Sequence, residues 1–218
     1  GSAENRRRFV LAVLAAMRAE VGNDFPIGIK LNSADFQRGG FTEEESLDAI
    51  RALVDAGIDM VEISGGTYEA PAMAGVKRAQ SSIAREAYFL EFAEKARTAV
   101  RAPLMLTGGF RTLAGMEGAI QSGAIDFIGI ARGMAVETDL PNRVLAGHDP
   151  KHTVRPITTG IKAVDRMAVM EVMWYSQQLE RIGTGREPQP NRSGLRAFGR
   201  YVLQNGWRTF QNKRVRAK

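Results

Sequence analysis

The chain has 218 residues, 44% of them hydrophobic and 25% charged, the make-up of an ordinary water-soluble globular protein. No apolar run approaches the roughly 18 residues of a membrane span, and the charged opening GSAENRRRF lacks the apolar core of a secretory signal. Zero cysteines exclude disulfides, thiolate metal sites and cysteine-held iron–sulfur clusters within these residues and fit a cytoplasmic setting.

The net charge of +6 is unevenly spread. Residues 1–150 hold 16 Lys and Arg against 20 Asp and Glu, whereas residues 151–218 hold 14 against 4. The basic segment reads as a solvated or subunit-facing tail. Nucleic acid is disfavoured as its partner, because no base-stacking aromatic motif accompanies the charge.

In chain order, NRRRFVLAVLAAMRAEVG places Phe9, Val10, Val13, Leu14 and Met17 on one helical stripe, and Gly22 and Pro26 mark its end. PIGIKLN then alternates at period two. Ile27, Ile29 and Leu31 point one way and Gly28, Lys30 and Asn32 the other, as in a strand. FTEEESLDAIRALVDAG opens with a capping box from Thr42 to Glu45 and carries Leu47, Ile50, Leu53 and Val54 on a helix face before Gly57. DMVEISGG is a second strand, and Tyr88, Phe89, Phe92, Ala96 and Val100 mark the next helix. PLMLTGG is a third strand, followed by a helix from about Thr112 to Gln121. DFIGIARG is the fourth strand, with a short helix near DLPNRVLAG.

A leading helix and four strand–helix units imply an α/β fold with a parallel, helix-covered sheet. Lys30 and Glu62 lie on the polar faces of their strands, which favours a polar barrel lumen over a sheet apolar on both sides. The expected architecture is a (β/α)8 TIM-barrel type with only the last four units present, since eight take about 250 residues. Residues 1–147 form this half barrel and residues 148–218 a helical extension. In the extension, apolar residues at 161, 164, 168, 172, 175, 179 and 182 predict one long helix with a near-heptad seam. Leu195, Phe198 and Val202 predict another, and the tail NKRVRAK is expected to fray. His148 and His152 read as loop residues, and Met167, Met170 and Met173 as helix packing. No metal site is expected.

Ligands of parallel barrels sit at the carboxyl ends of the strands. The candidates there are Lys30 and Asn32, Glu62 and Ser64 with Gly65 and Gly66, Thr107 with Gly108 and Gly109, and Ala131 with Arg132. Glycines after the last two strands let backbone N–H groups approach a phosphate closely, and Arg132 can add a charge-assisted, bidentate contact. Thr112 opens a helix whose positive end also favours an anion. These groups read as a phosphate site. The plainer alternative makes Gly108 and Gly109 turn residues and Arg132 an ion-pair partner. Lys30, pointing into the lumen, either faces a ligand that gathers negative charge or pairs with Glu62.

The segments GSAENRRRF, PIGIKLNSADFQRGGFTEEES, VEISGG, PLMLTGGF and DFIGIARGMAVETDLPNRV resemble, in order and spacing, the old yellow enzyme family of FMN-dependent NAD(P)H oxidoreductases and ene-reductases. The resemblance covers about residues 1–147. It implies that Gly108, Gly109, Ala131 and Arg132 bind the FMN phosphate. It places Lys30 where most of the family has an arginine against the pyrimidine end of the flavin, which keeps the charge and loses the fork. It also implies a small-molecule electron acceptor such as an α,β-unsaturated carbonyl. The substrate-orienting His pair and the proton-donating tyrosine are expected upstream of residue 1, so no catalytic residue is assigned in this chain. The dienoyl-CoA reductase branch, which needs cysteines, is disfavoured. The expected partner is an N-terminal half barrel, as a separate chain or a removed fragment, or a second copy of the chain. Two other readings stand beside this one. One is a phosphate-binding isomerase or aldolase with Lys30 as a Schiff-base nucleophile. The other is a non-catalytic assembly or nucleic-acid-binding module built on residues 151–218.

Overall fold

The computed structural model describes residues 1–65, 86–152, 155–165 and 169–216. These fall into two compact units, one ending at Ala131 and the other beginning at Arg132.

The first unit opens with α1 (Ala3–Val21), capped by the Ser2 side chain accepting from the Asn5 N–H. Then follow β1 (Gly28–Asn32), α2 (Glu43–Asp55), β2 (Met60–Ser64), α3 (Leu90–Ala99), β3 (Leu104–Thr107), α4 (Leu113–Gln121) and β4 (Phe127–Gly129). The capping box at Thr42 and Glu45 forms as expected, and Thr112 caps α4 through its side chain. Tyr88 and Phe89 fall in the turn before α3 rather than inside it.

The strands form one parallel sheet in the order β1-β2-β3-β4, so each strand lies beside its sequence neighbour. Strand alternation separates two faces. Val61, Ile63, Leu104 and Leu106 are fully buried and form the core with Ile50, Leu53, Phe92, Ala93 and Ala96 of the helices. Burying each large side chain contributes roughly 1.5–3 kcal/mol. The opposite face carries Lys30, Glu62, Met105 and Thr107, with partly exposed Phe127 at the far strand. The expected helical stripe on α1 is mostly uncovered. Leu14 is buried, but Phe9, Val13 and Met17 are exposed.

At the amino ends of the strands one construction occurs twice. Arg18 of α1 donates to the carbonyls of Gly22, Phe25 and Gly57 and to the Asp59 carboxylate at 2.5 Å, and Asp59 accepts the Ile27 N–H at 2.6 Å. Arg97 of α3 donates to the carbonyls of Ala102 and Ala124 and pairs with Asp126, which accepts the Leu104 N–H at 2.8 Å. In both, an arginine late in a helix meets an aspartate just before a strand. That aspartate in turn holds the start of the neighbouring strand. The Ile27 N–H, followed by Arg18, pulls the Asp59 carboxyl below the usual range.

The second unit contains α5 (Leu140–Leu145), α6 (Lys162–Asp165), α7 (Val169–Gly183) and α8 (Gly194–Arg216). Its core gathers Ala135, Val136, Ile157, Met170, Met173, Trp174, Tyr175 and Ala197. The seam read from the sequence is corrected here. Val172 and Leu179 are exposed, whereas Met170, Met173, Trp174, Gln177 and Gln178 are buried. That set repeats at i, i+3, i+4, i+7 and i+8, the true inward stripe of α7. It escapes a hydrophobic pattern because two of its members are glutamines, which find backbone partners. Gln177 donates to the Ala197 carbonyl at 2.9 Å, and Gln178 accepts the Gln189 N–H at 2.7 Å. Met167 and Ala168 lie outside the described residues. Of the tail NKRVRAK, residues 212–216 belong to α8 and residues 217–218 lie outside the described residues.

Candidate functional site

At the carboxyl end of the sheet, three neighbouring strands each contribute a polar group to the face turned away from the helices. The register places Lys30 of β1 beside Glu62 of β2, and Glu62 beside Met105 of β3, two residues before Thr107. The Lys30 Nζ donates to Glu62 Oε1 at 2.5 Å, and the Thr107 hydroxyl donates to the same oxygen at 2.6 Å. Lys30 is 52% exposed and Glu62 22%. The ammonium therefore stands at an open face on a partly buried carboxylate, as the sequence reading of a Lys30–Glu62 pair expects. On β4, a Cβ at Gly129 would collide with the Thr107 hydroxyl, so glycine there makes room for the row.

The other candidates sort by what already occupies them. Asn32 reaches Asp35 through its side chain, and its carbonyl accepts the Ser46 hydroxyl at 2.8 Å. The Ser64 carbonyl accepts the Ser33 N–H. Gly65 fits under the rings of Phe89 and Phe36, where a Cβ would come within 2.6 Å of Phe89. Those rings stack at 6.0 Å. Gly66 lies outside the described residues.

Gly108 and Gly109 follow β3 with φ of 136° and 91°, conformations that favour glycine. The Tyr88 ring covers Gly109, with a hypothetical Cβ 2.9 Å away, and the Tyr88 N–H donates to the Gly108 carbonyl. Both glycines therefore have a structural reason to be glycine. The positive end of α4 is already served by the chain itself. Glu86 accepts the Arg111 N–H at 3.0 Å and the Thr112 N–H at 3.2 Å, while the Thr112 side chain takes the Gly115 N–H. An acid 25 residues upstream is a cap that local spacing does not reveal.

Ala131 closes the first unit, exposed after β4. In the second unit, the Arg132 guanidinium donates through one nitrogen to Glu171 of α7 at 2.8 Å. The Glu171 side chain is 6% exposed and that of Arg132 26%. Lys30 uses one of its three donors on Glu62 and Arg132 one of its five on Glu171. The remaining donors have no partner among the described residues. No cluster of three or more His, Asp or Glu that could hold a metal occurs among the described residues. No helix of the described residues is long and apolar enough to cross a membrane.

Comparison with known proteins adds the family. Residues 1–150 match the NADH:flavin oxidoreductase / NADH oxidase family. The chain is 39% identical over 159 residues to the NADH-dependent flavin oxidoreductase iliE of Hypocrea jecorina, covering 69% of this chain and 39% of that protein. It is 34% identical over 203 residues to the NADH-dependent flavin oxidoreductase iccE of Talaromyces variabilis, covering 85% and 49%. The chain thus spans half or less of the length of these curated relatives. Among solved structures, a 2-naphthoyl-CoA reductase complex aligns with a TM-score of 0.61 at 31% identity, over 68% of this chain and 22% of that one. The order of the four strand–helix units, the polar row at their carboxyl ends and the match over residues 1–150 lead to one conclusion: the chain belongs to the NADH:flavin oxidoreductase family.

Proposed function

We propose that this chain is the FMN-binding part of an NAD(P)H-dependent oxidoreductase, the last four strand–helix units of a (β/α)8 barrel with a helical extension, working in the cytoplasm. When bound, FMN takes hydride from NAD(P)H and passes it to an electron-poor acceptor such as an α,β-unsaturated carbonyl. The observation that carries this reading is the Lys30–Glu62–Thr107 row at the carboxyl end of a parallel sheet, the end at which such folds bind ligands.

In this reading Lys30 places a positive charge against the flavin edge that becomes anionic on reduction, and Glu62 and Thr107 hold Lys30 in position. Gly108, Gly109 and Ala131 bring backbone close to the phosphate. Arg132 contributes its free donors. The substrate-orienting and proton-donating groups come from a preceding half barrel. That partner is supported by the length of the relatives and by β1 standing at the sheet edge with no strand beyond it among the described residues. The exposed Phe9, Val13 and Met17 of α1 also support it. So does a cavity of about 480 Å³ between α1 and β1, lined by Val10, Lys30 and Phe41. The Schiff-base alternative loses ground because the Lys30 Nζ is already engaged by Glu62, whereas that chemistry needs an amine free to attack a carbonyl.

Titration of the full chain with FMN, followed by flavin absorbance and fluorescence, tests the reading. Saturable binding that weakens in Lys30→Met is expected. Equal affinity in the two proteins would overturn the placement of the flavin, and no binding would overturn a cofactor role for this chain by itself.

A further inference from the structure

Glu171 is absent from every motif that points to the flavin, yet it is bonded to the arginine expected at the phosphate. It sits in the first turn of α7, between Met170 and Met173, which are buried in the core of the second unit. Its side chain is 6% exposed. A carboxylate at such a depth is stable only when paired and hydrogen-bonded. The pair it makes is specific. One oxygen, Oε2, takes one terminal nitrogen of Arg132 at 2.8 Å. Arg132 is the more exposed member, at 26%, and its other donors have no partner among the described residues.

This geometry divides the guanidinium into two parts. The part on Glu171 is fixed to a helix, and the part turned away from it keeps donors for a second acceptor. A planar fork with one nitrogen bonded has less freedom left to lose when a ligand arrives. From this we infer that Glu171 is a positioning residue for phosphate recognition. It orients Arg132 toward the phosphate of FMN and makes no contact with the cofactor itself. The inference rests on the reading that Arg132 binds that phosphate.

Comparing FMN with riboflavin separates the possibilities, because the two share the ring system and differ in the phosphate. In the wild-type chain FMN is expected to bind more tightly than riboflavin. In Glu171→Gln, FMN affinity should fall roughly tenfold, the size of effect typical of removing a group that orients a ligand-binding side chain. Riboflavin affinity should stay as in wild type. Combining Glu171→Gln with Arg132→Ala should weaken FMN no further than Arg132→Ala alone, since the two side chains act as one unit. Equal losses for FMN and riboflavin in Glu171→Gln would overturn the inference and mark Glu171 as a general stabiliser of α7. Additive losses in the double variant would also overturn it. If Arg132→Ala leaves the FMN-to-riboflavin ratio unchanged, the phosphate reading of Arg132 fails first, and the role of Glu171 falls with it.

Discussion

The two ends of the four-stranded sheet are built from the same kinds of residue and used in opposite ways. At the amino end, Arg18 donates four times and Arg97 three times, each to backbone carbonyls and an aspartate, and each aspartate also accepts an N–H at a strand start. At the carboxyl end, Lys30 has one partner and stands half exposed, with donors left over. A cation bonded to several chain segments at once fastens them together, whereas a cation with a single partner keeps most of its donors for a ligand. The difference suits the amino end to holding the sheet together and, under the proposed function, leaves the carboxyl end for binding, as the carboxyl-end rule for parallel barrels anticipates.

Substitutions at the two ends should therefore separate in kind. The largest loss of stability is expected from Arg97→Ala, which removes donors from the carbonyls of Ala102 and Ala124 and leaves Asp126 without its cation. About 2–3 kcal/mol is expected for charge-assisted bonds in a partly buried setting, read as a drop in Tm, with FMN affinity preserved. Lys30→Met should do the reverse. Exposed ion pairs are worth under about 1 kcal/mol, so Tm should move little. FMN affinity should fall by roughly tenfold, and the midpoint potential of bound flavin should drop as the charge that favours the reduced anion is lost.

A smaller effect separates the ends by pH. Asp59, its carboxyl held low by the Ile27 N–H and then by Arg18, contributes stability that is fully present above the ordinary aspartate value, near 3.9. That stability is lost as pH falls through the lower folded value. Asp59→Asn should accordingly melt below wild type at pH 7, and the gap should close as the pH drops below about 4. Thr107→Val is expected to show the smallest change. It removes one hydroxyl from Glu62, costs about 1 kcal/mol or less, and loosens Lys30 enough to weaken FMN severalfold.

These two ends were not equally legible in the sequence. Strand alternation put Lys30 and Glu62 on one face, and parallel register then made them neighbours. The capping box at Thr42 and the helix start at Thr112 were local signals and formed as read. The arginine–aspartate staples were not visible, because Arg18 and Asp59 are 41 residues apart and Arg97 and Asp126 are 29 apart. Neither spacing follows from helix or strand period. Glu86 on the start of α4 was hidden for the same reason, so that helix end looked open when its donors were already taken. In α7 the inward stripe contains Gln177 and Gln178, and a pattern that counts only apolar residues rotates the helix onto the wrong face. The pairing of Arg132 with Glu171 lay beyond reach too, since it joins a strand-end motif to a helix that the motif does not include.

The most direct measurement of the division between the ends is hydrogen–deuterium exchange of the full chain with and without saturating FMN. Protection is expected in peptides covering 29–33, 106–110 and 130–133, with no change across 22–27, 57–60 and 122–127. Protection centred on the amino-end segments, or spread evenly over the sheet, would contradict a flavin site at the carboxyl end.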